Sequence, residues 1–332
     1  MKAPAFWWHD RASPGLVSSL LTPASFLWQA GAALRAARSD AVKAPVPVLC
    51  IGNLTAGGAG KSPMVAALQF RLRAKQINAH VVSRGYGGRL VGPHQVVEGR
   101  DTFEDVGDEP LMLSANGPVW IARQRARAAS KAADADAELV VLDDGFQNPS
   151  LFKNASIVMV DAVQGFGNGR VIPAGPLREP VSSGLARADL VVVVGTPEER
   201  SQCLAQWPEL RGVSVVEAEL VPQRTGLPIS GEAVVAFAGI GRPEKFFDTL
   251  RAMGAELVAT HAFGDHQHYS DAILRRLLRE ARMSDAMLVT TEKDAVRLPV
   301  AMRTEVMTVQ VRLEPSDWAP IDALIERLLQ TT

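Results

Sequence analysis

The chain has few of the residues that mark several protein classes. It holds 2 cysteines and 2 tyrosines in 332 residues. Cys50 and Cys203 stand far apart and without metal-ligand spacing, which excludes a disulfide framework or a thiolate zinc site and fits a reducing, intracellular compartment. It has no excess of one charge, since 35 Lys and Arg face 36 Asp and Glu. No nucleic-acid partner is therefore expected, because wrapping a phosphate backbone needs a cationic footprint. It also lacks an unbroken apolar span. The uncharged run from Ala12 to Leu34 is interrupted by Pro14 and Pro23, diluted by Ser13, Ser18, Ser19, Thr22, Ser25 and Gln29, and closed by no small-residue cleavage site. Neither a spanning helix nor a signal peptide fits it well. No repeat of fixed period and no low-complexity segment occurs.

What the chain does have is a globular composition, 47% hydrophobic and 21% charged, long enough for about two domains. Residues 1–43 carry Phe6-Trp7-Trp8 with Lys2, Arg11, Arg35, Arg38 and Lys43 against Asp10 and Asp40. Paired tryptophans beside basic residues suit a helix lying on an anionic membrane surface. A helix packed on its own domain is the alternative.

From Pro45 short apolar runs alternate with helical stretches: Val46 to Ile51, His80 to Ser83, Val119 to Ala122, Leu139 to Leu142, Ile157 to Val160 and Leu190 to Val194. Continuous rather than alternating apolar runs predict a mostly parallel sheet covered on both faces. A second set follows at Ala233 to Ala238, Glu256 to Thr260 and Met287 to Thr290, with helices near Pro243 to Met253 and Ser270 to Met283. The expected fold is α/β, a P-loop NTPase-type α/β/α domain over 44–222 and a smaller α/β domain over 223–332 that closes over the active site. The extended segments Val213 to Leu220 and Glu305 to Leu313 are expected to pair as a two-stranded hinge, its return strand near 305–313.

The sharpest signal is Gly52-Asn-Leu-Thr55-Ala56-Gly57-Gly58-Ala59-Gly60-Lys61-Ser62-Pro63, where a buried strand runs through glycines into a helix. In such a loop, backbone amides from Thr55 to Ser62 close round phosphate oxygens, Lys61 reaches the terminal phosphates and Ser62 offers a hydroxyl to magnesium. The partner motif, Leu139-Val-Val-Leu-Asp143-Asp144-Gly145-Phe146-Gln147, ends a strand in two carboxylates. Asp143 or Asp144 can hold a hard cation with Ser62, directly or through water. An ordinary Asp-Asp-Gly turn is the bland alternative.

With Ser83-Arg-Gly-Tyr86-Gly, Asp105-Val-Gly-Asp108-Glu109-Pro, Asn168-Gly-Arg170, Pro173-Ala-Gly-Pro-Leu-Arg178-Glu179-Pro and Thr291-Glu-Lys-Asp294 following in order, the chain resembles the tetraacyldisaccharide 4'-kinase family. The resemblance runs from the N-terminal segment to about Leu298. It departs from the usual pattern in Ser62 for threonine, which keeps the hydroxyl, and in Asn148 where a histidine often follows the glutamine. It implies transfer of the γ-phosphate of ATP to the 4'-hydroxyl of a tetraacylated disaccharide 1-phosphate in lipid A biosynthesis. Magnesium would be the cofactor, a membrane-embedded glycolipid and an anionic inner-membrane surface the partners, and the cytoplasmic face of a bacterial inner membrane the location. No obligate protein partner is evident.

The same resemblance implies Asp108 as general base and Glu109 as an acidic contact to metal or substrate, though both can simply cap the helix near Pro110. It implies a phosphate-facing Arg178, for which an ion pair with Glu179 is the rival. Tyr86 and Arg170 would belong to the acceptor pocket. In Asp265-His266-Gln-His268-Tyr269, the resemblance lets His266 reach Asp108. A solvated loop, or a metal held by His266 and His268 without a third soft ligand, are the alternatives. Thr291 to Asp294 reads equally as a capping box. A P-loop GTPase or metallochaperone-like switch is the competing function, but its guanine-reading Asn-Lys-x-Asp is missing, since Glu292 occupies the asparagine position. A non-catalytic membrane tether would have no need of Asp108.

Overall fold

The computed structural model describes residues 3–223 and 229–330. Lys2, counted above in the basic balance, and residues 224–228 near the start of the second unit lie outside them. Among the described residues, thirteen strands form two sheets. The first eight are β1 (Val48–Gly52), β2 (Ala79–Ser83), β3 (His94–Gln95), β4 (Val119–Ile121), β5 (Leu139–Asp143), β6 (Ala155–Asp161), β7 (Leu190–Val194) and β8 (Val215–Pro222). They are followed by β9 (Ala233–Ala238), β10 (Glu256–Ala262), β11 (Met287–Thr291), β12 (Met307–Val309) and β13 (Val311–Pro315).

The larger sheet has the order β13-β8-β7-β6-β1-β5-β2-β4-β3. Only its edge pairs, β13 with β8 and β3 with β4, are antiparallel. Every residue of β1, β5, β6 and β7 is buried, which is why these strands read as apolar runs without alternation. Two cores explain it. On one face lie Met64, Val65, Leu68 and Leu72 of the helix Lys61–Ala74 with Ile321, Leu324, Ile325 and Leu328 of the helix Ala319–Gln330. Phe146, Phe166 and Trp207 pack with the helices after β4 and β7 on the other. Burying those four residues at i, i+3, i+4 and i+7 of the last helix contributes roughly 6–12 kcal/mol before ordering entropy is subtracted. Central β1, flanked by β6 and β5, is where the strand order reverses, so its C-terminal end opens the crevice in which open α/β sheets bind ligands.

The smaller sheet, β10-β9-β11-β12, is parallel throughout. The helices Pro243–Ala252 and Asp271–Met283 cover its two faces. One expectation needs correcting. Residues 305–313 are not one return strand: β12 belongs to the smaller sheet, and only β13 pairs with β8, from Val311↔Pro222 to Pro315↔Ala218. Gln310 separates them, its carbonyl accepting from the Gln223 amide at 2.8 Å.

The N-terminal helix Leu16–Ala37 turns Ser18 and Ser25 inward. Ser18 donates to the Ala174 carbonyl at 2.7 Å and Ser25 to the Val171 carbonyl at 2.6 Å, both serines being buried. Leu16, Leu20, Phe26 and Leu27 face outward, each at least 66% exposed. Trp7 donates from Nε1 to the Pro173 carbonyl at 3.0 Å, and Trp7 and Trp8 are half-buried. Indole N–H groups near a carbonyl-rich turn find their partner inside the protein. Among the described residues no helix is long and apolar enough to cross a membrane.

Asn168 is the stitch between helix and body, its Nδ2 donating to Phe6 O, Ser18 Oγ and Ala174 O. Replacing it with alanine leaves buried acceptors without a donor, so Asn168→Ala is expected to lose about 2–3 kcal/mol. A urea melt at constant m-value checks this. Limited proteolysis should cut first between residues 37 and 45.

Candidate active site

Why this loop forms where it does is local. β1 is followed by Gly57 at φ 134° and Gly60 at φ 81°, and Gly60 precedes the helix that begins at Lys61. These are left-handed values that a side chain resists. A Cβ on Gly57 or Gly58 would meet nothing within 4 Å, so no packing inside the protein requires glycine at Gly58. An open, bare backbone at a helix N-terminus is what approach of an anion requires. No backbone carbonyl of the described residues takes the amides of Gly58 to Ser62.

The stretch Pro173 to Pro180 braces this loop. Ala56 N donates to Pro176 O and Arg178 N to Leu54 O, both at 2.7 Å. Thr55 bridges to Leu177, and its carbonyl and Oγ1 accept from Asn53 at 2.8 and 3.3 Å. Thr55 and Ala56, expected to bind nucleotide, are thus engaged in holding the loop. Lys61 Nζ lies 3.1 Å from Asn53 Oδ1 and 3.6 Å from Asp144 Oδ1.

The two aspartates at the end of β5 differ sharply. Asp144, at φ 48°, pairs with Arg178 at 3.1 Å and with Lys61. Burial works to raise its carboxyl, but Lys61 and Arg178 overcome it and hold the group below the usual carboxylate range. Asp143 is buried, takes one long bond from Ser83 Oγ at 3.3 Å, and leaves Oδ1 without a partner. Burial, with the charges of Glu109 and Asp144 adding to it, pushes its carboxyl up to about 7. Arg178 does not pair with Glu179, the rival reading. Glu179 is taken by Arg187 and Gln147.

Asp108 opens the short helix Asp108–Ser114, after Gly107 at φ 91°. A Cβ at Gly107 would strike the Tyr86 carbonyl at 2.4 Å, so glycine is required there. Asp108 is 4% exposed and meets three cationic or donor groups of the smaller unit. His266 Nδ1 is 2.8 Å from Oδ2, and Arg297 Nε is 3.0 Å from Oδ2 as an ion pair without hydrogen-bond alignment. Lys293 stands behind, 3.1 Å from Glu109 Oε1 and 3.4 Å from His266 Nε2. An ammonium only donates, so Nε2 accepts and the ring proton sits on Nδ1, directed at Asp108. Burial alone would raise the Asp108 carboxyl. His266, Lys293 and Arg297 outweigh it and hold it low. His266 itself has φ 58°, an uncommon backbone for a histidine, of the kind that persists where its surroundings over-determine it. The Tyr86 ring meets the His266 ring edge-on at 5.5 Å.

The structure therefore brings Lys61, Arg178 and Asp144 into one group and Asp108, Glu109, His266 and Tyr86 into another. The charge of Glu109 acting on Asp143 links the two. It does not bring Arg170 to either: its guanidinium bonds Thr22 of the N-terminal helix. Nor do Ser62, Asp143, Asp144 and Glu109 form a ready-made metal cluster. Asp144 and Glu109 are taken by cations, and among the described residues no three His, Cys, Asp or Glu side chains gather to hold an ion. Asn148 caps its own turn, accepting from Ser150 N at 2.8 Å. Sequence reasoning missed Lys293, Arg297 and Arg125. Arg125 is a buried arginine donating to the Asp144 carbonyl at 3.3 Å. Lys293 sat inside a recognised motif read as a cap, while no local pattern distinguishes Arg125 or Arg297 from a surface arginine. Glu292, in the position where a guanine reader has asparagine, pairs with Arg312 at 2.7 Å.

Comparison with known proteins identifies the family. The family profile described as tetraacyldisaccharide-1-P 4'-kinase matches residues 17–330. A tetraacyldisaccharide 4'-kinase of Jannaschia sp. (strain CCS1) is 52% identical over 330 residues, covering 99% of both chains. One of Dinoroseobacter shibae is 50% identical over 335 residues, covering 99% of this chain and 98% of that one. A crystal structure of LpxK from Aquifex aeolicus in complex with ATP superposes with a TM-score of 0.78 at 25% identity, covering 95% of this chain and all of the other.

The contrast between the aspartates has a measurable consequence. A carboxyl raised in the fold binds its proton more tightly there than in the unfolded chain, so its contribution to stability is lost as pH rises from about 4 to about 7. Asp143→Asn should therefore raise the melting temperature of the ligand-free protein at pH 8 and leave it nearly unchanged at pH 4, on the order of a few kcal/mol at the upper end. Calorimetry across that range tests it, and a variant no more stable at pH 8 would contradict the account.

Proposed function

The chain belongs to the tetraacyldisaccharide 4'-kinase family, the ATP-dependent kinases that phosphorylate the 4'-hydroxyl in lipid A biosynthesis, and from that premise we propose how its own groups share the work. The observation that carries the proposal is Asp108, a buried carboxylate held by His266 on a helix packed against the one that follows the glycine loop. ATP would lie with its phosphates over Gly57 to Ser62, Lys61 and Arg178 neutralising charge as the terminal P–O bond to ADP loosens. The acceptor oxygen forms the new P–O bond, and its proton passes to Asp108. A carboxylate held low is a weak base. That suffices where the transition state is loose and the hydroxyl proton leaves late. His266 orients Asp108 through Nδ1, and Tyr86 is the acceptor-side neighbour of that ring.

Magnesium suits the residues present. The partnerless, acceptor-only Oδ1 of Asp143 is the donor a hard cation takes, and Ser62 would join it. The ion would neutralise charge on the β- and γ-phosphates. Glu109, bound to Lys293, serves the acceptor side in this reading rather than the metal.

The outward apolar face of the N-terminal helix, ending in Arg35 and Arg38, supports a peripheral seat on the anionic cytoplasmic surface of the inner membrane, from which a glycolipid need not leave the bilayer. Arg170, beside that helix, would meet the substrate's polar part.

Two measurements test these proposals. With labelled ATP and a tetraacylated disaccharide 1-phosphate, Asp108→Ala should lower kcat by about 10²- to 10⁴-fold and His266→Ala by less, the double variant being hardly worse than Asp108→Ala. Lys61→Ala should abolish transfer in a folded protein. Fully multiplicative losses for Asp108 and His266 would separate the pair. In co-sedimentation with anionic vesicles, Leu20→Asp with Leu27→Asp should release the protein without moving its melt. Unchanged sedimentation would remove the membrane role of that face.

A further inference from the structure

Arg297 is the most enclosed cation of the described site, its side chain 1% exposed. Four of its contacts lie within the smaller unit. Nη2 donates to Gly239 O at 3.0 Å, Nη1 donates to Gln267 O at 3.2 Å and lies 3.3 Å from Asp294 Oδ1, and the guanidinium sits 5.9 Å from the centre of the Tyr269 ring. Asp294 is in turn anchored by Gly239 N at 3.0 Å, the Tyr269 hydroxyl at 2.5 Å and Thr291 Oγ1 at 2.6 Å. The planar fork is thus set rigidly by its own unit before anything of the larger unit is considered. Its fifth contact, Nε at 3.0 Å from Asp108 Oδ2, crosses to the other unit.

We propose that Arg297 is a positioning residue for the transfer reaction: a pre-set guanidinium that fixes the orientation of the Asp108 carboxylate only when the smaller unit is docked on the larger one. Asp108 Oδ2 is held on two sides, by Arg297 and by His266. Oδ1 accepts from the Glu109 amide at 2.9 Å, so the plane of the carboxylate is determined. Of the two, His266 gives the aligned hydrogen bond from a half-exposed loop, and Arg297, fixed in a buried network, gives the charge against which Oδ2 settles. A second consequence follows from charge. A buried guanidinium facing Asp294 alone gains its second carboxylate by docking on Asp108, which favours the closed arrangement. The proposal rests on Asp108 being the base and adds to it the residue that makes that base competent on closure.

The test is kinetic and uses the full chain with ATP and the lipid acceptor. Arg297→Ala should lower kcat by about 10²-fold with either KM changed less than about threefold, because orientation at the reacting centre is lost while the binding surfaces remain. Millimolar guanidinium ion should restore part of kcat in Arg297→Ala and none in Asp108→Ala. Arg297→Lys, which keeps charge but loses the fork, should fall between, about tenfold down. A folded Arg297→Ala with kcat within threefold of the parent, a loss confined to KM, or no recovery with guanidinium would each overturn the proposal. Should Arg297→Ala fail to fold, Arg297→Lys decides, a parental kcat counting against it. Full activity in Asp108→Ala would instead remove the reading of Asp108 as base.

Discussion

Everything at the site depends on keeping carboxylates ionised where water is scarce. The larger unit presents acidic residues towards the smaller one, and the smaller unit presents cations and imidazoles back. Asp161 at the end of β6 meets Arg242 at 3.0 Å and Lys245 at 3.6 Å. Glu109 meets Lys293, Glu104 meets His268 at 3.7 Å, and Asp108 meets His266 and Arg297. Exposed pairs of this kind contribute little each. Around Asp108, where exclusion of water is nearly complete, removing Arg297 would leave an uncompensated charge, and removing His266 would leave an acceptor without its donor. The contact between units is therefore uneven: it is most enclosed at Asp108.

Asp143 is the exception that defines the phosphate side. Neighbouring carboxylates on one strand end have opposite fates because Lys61 and Arg178 converge on Asp144 and leave Asp143 facing Glu109. Structural economy would have neutralised both. An open buried carboxylate costs stability in the ligand-free protein, and a strongly perturbed carboxyl of this kind is characteristic of functional sites rather than of packing.

The larger features were legible in the sequence because they rest on local rules. Nine apolar runs became strands within a few residues of their expected ends, the glycine loop followed β1, and Asp143 closed β5. Segment 305–313 was misread because extended character says nothing about which sheet a strand joins. Gln310 divides it between two, and no residue pattern marks that change. Arg297 was invisible for another reason. Its role arises from Gly239, Gln267, Asp294 and Asp108, which are scattered over 190 positions of chain, and long-range pairing of a single arginine leaves no periodic trace. Of the tryptophan pair the sequence showed only an amphipathic character that favours interfaces, not the partner that Trp7 takes within the protein, the carbonyl of Pro173.

The N-terminal helix shows how one strap can serve two surfaces. Its serines hydrogen-bond to Val171 and Ala174, so its polar face is the seated one and its apolar face is left outside. The same stretch continues to Pro176 and Arg178, whose backbone holds Ala56 and Leu54 of the phosphate loop. Arg170 and Arg178 are joined across it, the Leu177 amide donating to the Arg170 carbonyl at 3.1 Å. Arg170 beside the N-terminal helix and Arg178 beside Asp144 thus sit on adjacent turns of one backbone. The seat of the helix and the shape of the glycine loop are therefore held by one continuous stretch of backbone, so that neither can shift independently of the other.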